Sequence, residues 1–458
     1  MQIKKGTALV YGLIVIVSVA VIFTGLIRFV TEHFKYSLHA QPRQQALHMA
    51  ESGIYFYRWY LGHNVDGKTA EEVADFWENG NPYGVDSDND GECSESEAYE
   101  VDYDGTNTIG RYRICVIRPS SGSTDAEILA TGWTYKEPDV TRSVRVRMRR
   151  PAWSEFVLLS DSSLIINNKT TFYGAVHAND GIEFNGSAYG AVSSSVATYD
   201  HDNNSATEEK EGIWSQTGNG FFAGAKIFPS PVQDFNSIVV SFAEIASAAQ
   251  GQYTLPTLAG GQGWHIILQA DGTADVWWVK KHHKDTKAIT KESFDQTITL
   301  QDTSAIYLRN DLWIDGTLDA GKRLTIAAHH NGGGRNQDIY INGDVVYENH
   351  DSWTVLGLAA ENNIDTVKEP IIDGAGNDSG VLEIDAAILS QFGFVGRSSE
   401  YDTIIDMDFY GAIATKQGLE QSSVGTSTLT YDPNFLVTAP PYFPTGSSYV
   451  IDQWTEME

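Results

Sequence analysis

Twelve residues, Asp86-Ser87-Asp88-Asn89-Asp90-Gly91-Glu92-Cys93-Ser94-Glu95-Ser96-Glu97, put oxygen donors at the spacing a hard divalent cation needs. Asp86, Asp88 and Asp90 occupy positions 1, 3 and 5 of such a loop, and Gly91 occupies position 6, where the chain turns sharply. Glu92 offers a carbonyl at position 7, Ser94 a water-mediated contact at 9, and Glu97 a two-oxygen carboxylate at 12. Three carboxylates packed this closely repel one another unless a cation sits among them. The pattern predicts one Ca2+ site; the plainer alternative is a solvated acidic turn. No paired loop follows, because Glu97–Tyr103 reads as a strand, so the expected role is a structural clamp. A second run, Asp200, Asp202, Asn204, Glu208 and Glu211, fills positions 1, 3, 5, 9 and 12 with Ser205 in place of the turn glycine. It is either a degenerate Ca2+ loop or an exposed polar insertion.

Cys93 and Cys115 are the only cysteines. In an oxidising compartment they are expected to pair; the alternative is two buried thiols. Other reactive patterns are sparse. There is no nucleophile elbow, phosphate-binding glycine loop or HExxH helix. His282-His283 and His329-His330 are neighbours whose side chains would leave opposite faces of a strand, so neither pair easily chelates one metal. Asp365, Asp373, Asp385 and Asp406 could group as in carbohydrate-cleaving enzymes, but acidic residues are abundant throughout. Trp277 and Trp278 could stack on a sugar, although on a strand at least one of them should be core.

The chain that positions these groups has 458 residues, enough for two to four domains. It carries 31 Lys and Arg against 60 Asp and Glu, a net charge of −29, which argues against a direct nucleic-acid binder. The first 61 residues hold six cations and two carboxylates, so this stem is +4 and the remainder −33. With 41% hydrophobic and 11% aromatic residues the chain is not disordered. Its 42 glycines against 13 prolines suggest many tight turns between strands.

Thr7–Ile27 is 21 residues without a charge, about 31 Å as a helix, which matches the hydrocarbon thickness of a bilayer. Lys4 and Lys5 precede it and place the N-terminus on the cytoplasmic side and the body outside. The run is longer than the apolar part of a cleaved secretory signal, and no small-x-small site ends at Ala40. Beyond a break expected near Pro42, Leu47, Ala50, Ile54, Tyr57 and Leu61 recur at three- and four-residue spacing, a stripe that should pack on the first globular domain.

Lys4-Lys5-Gly6 directly before an uncleaved apolar helix resembles the prepilin signal of type IV pilins. His48-Met49-Ala50-Glu51-Ser52-Gly53-Ile54 resembles the corresponding stretch of PilX-type minor pilins. The resemblance covers about 60 residues. It implies cleavage after Gly6, methylation of Thr7, and packing of the helix with other pilin subunits, through a prepilin peptidase and an inner-membrane assembly platform. Most pilins have Glu at the fifth mature position, where this chain has Tyr11. A neighbour's buried ammonium needs a carboxylate, so Tyr11 points to a tip or minor subunit, similar to the tip pseudopilins of secretion systems.

A short helix at Lys68–Glu78 and strands at Ile109–Ile117, Glu127–Tyr135 and Ser143–Arg149 complete a small pilin-like domain ending near Pro151. From Trp153 onward brief β-rich runs alternate with turn residues, apart from a helical stretch at Asn236–Ala249. Many short strands with loops of uneven length suit a parallel β-helix, with a β-sandwich as the alternative. Trp264–Gln269 and Ala274–Val279 flank a turn and read as a hairpin. Phe172–Asn179, Leu356–Ile364 and Leu382–Leu389, with Tyr431-Asp432-Pro433 and Pro440–Pro444, resemble an uncharacterised bacterial domain found behind PilX-type stems. That resemblance implies surface or pilus association and no known reaction.

The expected class is α+β: a leader (1–6), a membrane or filament helix (7–61), a small α/β domain with the Ca2+ loop (62–151) and a large mainly-β display domain (152–458). The expected function is a non-enzymatic minor or tip subunit of a type IV pilus-like filament, with an extracytoplasmic body and an unidentified surface or glycan ligand. A cell-anchored adhesin that never polymerises is the alternative, and an enzyme acting on surface polysaccharide is the third reading.

Overall fold

The computed structural model describes residues 5–66, 68, 70–87, 93–94, 96–106, 108–119, 125–150, 155–202, 204, 207–233, 235, 238–257, 262–330, 336–350, 353–372, 380–436, 438–443 and 449–457. It is an α+β protein with a long N-terminal helix and a large mainly-β region.

Helix α1 runs from Lys5 to Asn64 and continues through Pro42, so the break expected there does not end it. Its two halves have opposite environments. Val10–Thr31 is apolar, with mean hydropathy 2.6, and none of it is buried within the chain; by length and composition it can cross a membrane. In the second half Ala46, Ala50, Ile54, Tyr57 and Leu61 are fully buried. They follow the three- and four-residue spacing that puts side chains on one helix face.

That face lies on an antiparallel sheet built from β1 (Tyr99–Asp102), β2 (Gly110–Ile117), β3 (Ala126–Thr134) and β4 (Arg142–Arg149). Alternate residues of β2 and β3 are buried, the pattern of a sheet with one covered face. Helix α2 (Ala70–Glu78) adds Val73 and Trp77 to the same core. A fifth strand was not legible in sequence. Val450–Met457 pairs antiparallel with β4, and Trp77 donates its indole N–H to the hydroxyl of Tyr449 at 3.1 Å. The division expected at 152–458 therefore differs at its far end, where the last strand belongs to the small sheet. The large region is inserted between two neighbouring strands.

Inside that insertion the strands pair in parallel along three ladders. The first follows the order 254–255, 303–308, 323–328, 355–360, 387–390, 412–415, 158–160, 176–178, 192–194 and 226–227. The second follows 263–266, 311–314, 339–341, 364–366, 395–396 and 419–420. The third follows 316–318, 345–347, 381–386, 405–411, 424–431, 170–173, 187–188 and 221–222. The chain thus enters in the middle of the stack. It proceeds to one end, crosses to the other through α3 (Ile238–Ala248), and winds back until 413–415 pair with 158–160. Runs such as Leu324–Ala328 and Leu356–Ala360 have two buried faces. Their large residues join the interior, while Ala327 and Ala359 face Phe242 and Ile245 of α3 and Phe435 and Phe443 beyond it. Two expected strands are split at corners: Thr171–His177 into Thr170–Tyr173 and Val176–Ala178, and Ala305–Ile314 into Thr303–Leu308 and Asp311–Leu318. The Trp264–Gln269 hairpin forms as expected, with Leu268 opposite Ala274. Trp278 packs against the interior, whereas Trp277 meets the ring of Phe294 on the other face.

One buried ion network gives the large region a pH signature. His265 is buried, with Nδ1 2.9 Å from Glu292 and Nε2 3.0 Å from Asp315, and Asn342 donates to the same Asp315 oxygen at 2.6 Å. Burial opposes the imidazolium, but its hydrogen bonds to Asp315 and Glu292 and their charges outweigh it and raise the His265 pKa to about 9. The unfolded value is about 6.5. A group raised on folding gives stability that is complete below its unfolded pKa and lost as pH rises through its folded pKa. Unfolding free energy should therefore fall by roughly 3 kcal/mol between about pH 6 and 10, and His265→Gln should flatten that slope. Denaturant titrations across this range check it; equal slopes in both proteins would remove His265 as the cause.

Candidate metal centre and the groups around it

The first acidic loop hangs between α2 and β1 and is tied down at both ends. Val85 bridges to Val116 of β2, the amide of Asp86 donates to the carbonyl of Val116 at 2.9 Å, and Asp86 is fully buried. Cys93 and Cys115 form a disulfide that fastens the loop's middle to β2. Closing a loop of this size stabilises by about 3 kcal/mol in the chain-entropy account.

At the far end, Glu97 folds back over the start of the loop. Its Oε1 accepts from the amide of Ser87 at 3.1 Å and from the Ser87 hydroxyl; its Oε2 accepts from the Ser94 amide at 2.9 Å and hydroxyl at 2.7 Å. The side-chain donors Ser87 and Ser94, followed by their amides, hold the Glu97 carboxyl down at about 2. The loop's two ends, positions 1–2 and 12, are therefore together. Asp88, Asp90 and Glu92 lie outside the described residues. Among the described residues no group of three His, Cys, Asp or Glu side chains is arranged to hold a metal.

The second acidic loop joins the two-residue strands Thr198–Tyr199 and Lys210–Glu211. The amide of Asn204 donates to Asp200 at 3.0 Å and to Asp202 at 3.1 Å, and Thr207 donates to Asp202 at 2.7 Å. Thr207 is the main cause of the lowered Asp202 pKa. Glu208 and Glu211 are exposed, and Glu211 stands opposite Thr198 in the strand pair; Ser205 lies outside the described residues.

Gly6 and Thr7 lie in the first turns of α1, their side chains outside what is described; Tyr11 is 69% exposed. The four aspartates considered for catalysis are not brought together as a set. Asp365 lies on the second ladder and accepts from the amide of Ser398. Asp385 and Asp406 are on neighbouring strands of the third, four positions apart in register. Asp373 lies outside the described residues. His329 stacks on Phe242 at 4.6 Å, a packing role.

Sequence reading missed a polar group on the third ladder. His350 Nε2 is 2.7 Å from Asp385, its ring lies 4.5 Å from that of Tyr410, and Tyr410 donates to the buried Asp432 at 3.2 Å. Burial raises the pKa of both Asp385 and Asp432. No motif spacing links four residues spread over 350–432; only the parallel register does.

Neither a protein-family model nor a curated protein matches the chain. Among solved structures, the competence-associated pilin ComZ from Thermus thermophilus is similar at 13% identity and a TM-score of 0.32, over 91% of this chain and 97% of that one. Likeness that low transfers no role.

Proposed function

We infer that this chain is a pilin-like subunit, held in a membrane or a filament by the first half of α1, with its body on the far side. The observation that carries the reading is the division of α1. One unbroken helix leaves a predominantly apolar stretch of 22 residues uncovered and then buries its continuation on a small antiparallel sheet. An uncovered apolar helix of this length needs lipid or other helices around it. The Lys4-Lys5-Gly6 signal and Tyr11 favour a processed minor or tip subunit. The three parallel ladders favour a solenoid-like display body over a sandwich.

The test is the mature N-terminus, read by mass spectrometry in sheared surface filaments and in membranes. A methylated Thr7 in the sheared fraction is expected. An uncleaved chain confined to membranes overturns the filament role and leaves an anchored surface protein.

The reading includes one Ca2+ clamp at Asp86–Glu97, supported by the meeting of the loop's two ends. Ca2+ would compete with Ser87 and Ser94 for the Glu97 oxygens. At a hundredfold excess over its dissociation constant it should add about 2.7 kcal/mol to stability. Asp88→Ala with Asp90→Ala should abolish that gain in thermal unfolding followed with Ca2+ or EGTA. An equal gain in the double variant would place the ion elsewhere. The loop at Asp200–Glu211 is a lesser candidate, tested by the same measurement on Asp200→Ala with Asp202→Ala.

A further inference from the structure

The third ladder turns one side of its strands away from the interior, and its register decides which side chains stand together. Asp385 pairs with Tyr410, Tyr410 with Thr430, and Thr430 with Tyr173. Phe172 pairs with Ala188, which sets Tyr173 beside Tyr189 on the next strand. At about 4.8 Å between strands this row is about 19 Å long. Two residues earlier on the same strands runs a second row, Glu383, Asp408, Thr428, Thr171 and Ser187, which Phe221 continues on the next strand. Both rows leave the opposite side of the strands from Phe409, Leu429, Phe172 and Ala188, which alternate with them in the buried cluster. At the carboxylate end the first row is covered, with Asp385 buried and Tyr410 half-buried.

The two rows grade in chemistry from one end to the other. At one end Tyr173, Tyr189 and Phe221 are 46%, 51% and 49% exposed. The two tyrosine rings stack 4.7 Å apart, and Phe221 leans on Tyr189 at 5.7 Å. Hydroxyls from Thr430, Thr428 and Ser187 stand between. At the other end are the exposed Asp408 and the half-exposed His350, held by Asp385 and Tyr410.

An aromatic cluster alone would suit any apolar partner, and carboxylates alone would suit a cation. Their union with a field of hydroxyls suits a ligand that has apolar C–H faces and many hydroxyls, both donors and acceptors. Carboxylates on a chain of net charge −29 repel a polyanion. The row crosses five neighbouring strands over about 19 Å, so the ligand is an extended chain and not a single small molecule. The geometry points to a binding face for an uncharged polysaccharide, lying along the rows from Tyr189 to His350. This inference holds whether or not the chain polymerises.

The test is affinity electrophoresis of the full chain in detergent, through gels containing hydroxyethylcellulose, dextran, galactomannan or, as the polyanion, alginate. Retardation by at least one of the three uncharged polymers and none by alginate is expected. Tyr173→Ala with Tyr189→Ala should weaken it about tenfold, and Tyr189→Phe should preserve it. Thr430→Lys, which fills the middle of the row, is a second variant should the first lower the unfolding midpoint. The proposal is overturned by no retardation in any uncharged polymer, or by retardation that the variants leave unchanged. It is also overturned if the wild-type chain self-associates in sedimentation and Tyr189→Ala dissolves that association, which would make the face a contact between copies.

Discussion

Gly132→Leu should detach the buried half of α1 from its sheet and lower stability by more than about 3 kcal/mol, the upper end of ordinary overpacking. Gly132 lies in β3 where the helix passes closest. A Cβ there would stand 2.3 Å from the amide nitrogen of Ala50, 2.4 Å from the carbonyl oxygen of Ala46 and 2.6 Å from the Cβ of Met49. Two of these three atoms are backbone, so no side-chain rotation relieves the collision. The whole helix must move, and Ala50, Ile54, Tyr57 and Leu61 lose their seats with it. Gly62→Ala provides the contrast. It lies in the same helix, and the nearest atom to an added Cβ is an Asp66 oxygen at 3.5 Å, an ordinary contact. The loss of a flexible helical glycine should there stabilise by about 0.5–1 kcal/mol. Denaturant unfolding of both variants measures the difference. Gly132→Leu within about 0.5 kcal/mol of the parent, a typical surface-substitution effect, would mean that the helix does not approach β3 this closely.

Arg397→Met should cost about 3–5 kcal/mol, the range for breaking a buried charged network from one side. Arg397 is fully buried in the large region. Its Nη1 donates to the Thr366 hydroxyl at 2.9 Å and the Val367 carbonyl at 2.8 Å; its Nη2 donates to the Lys368 carbonyl and the Thr403 hydroxyl, both at 2.6 Å. The guanidinium lies 4.8 Å from the centre of the Tyr401 ring. Methionine fills much of the volume but removes the donor from the Val367 carbonyl, at a desolvation cost of about 1–3 kcal/mol, and leaves the Lys368 carbonyl with only the Thr403 hydroxyl at 3.2 Å. It also removes a charge that steadies Asp365. Burial already raises Asp365 to about 7, against amide donation from Ser398 and Thr366 and the charge of Arg397. Arg397→Lys should recover only part of the loss, because one ammonium cannot reproduce a planar fork that reaches two chain segments. A lysine variant as stable as the parent would show that charge, and not geometry, carries the effect.

The two proposed sites differ in how far sequence points to them. The acidic loop is proposed from sequence because its carboxylates fall within twelve consecutive residues, so local spacing alone expresses the pattern. The closing of its ends through Glu97 on Ser87 and Ser94 follows from the same short segment. The His350–Asp385–Tyr410–Asp432 group and the row from Asp385 to Tyr189 had no such signal. Their members come from chain positions as far apart as Tyr173 and Thr430, and parallel pairing alone aligns them.

By itself the sequence determined what depends on neighbours along the chain. It set the membrane-length apolar run, the buried stripe of α1, the alternating strands of the small sheet, the hairpin at Trp264–Val279 and the acidic loop. Each rests on a helical or strand period read within a single element. Only the tertiary structure decided how those elements close. It returned Val450–Met457 to β4, brought 413–415 against 158–160, and sent α3 along the stack so that the chain enters its own ladder in the middle. The physical reason is that a strand's hydrogen-bonding edge carries no address. Any strand with an apolar inner face can satisfy any other, and partners separated by hundreds of residues are selected by the burial of the whole core, which no local period records.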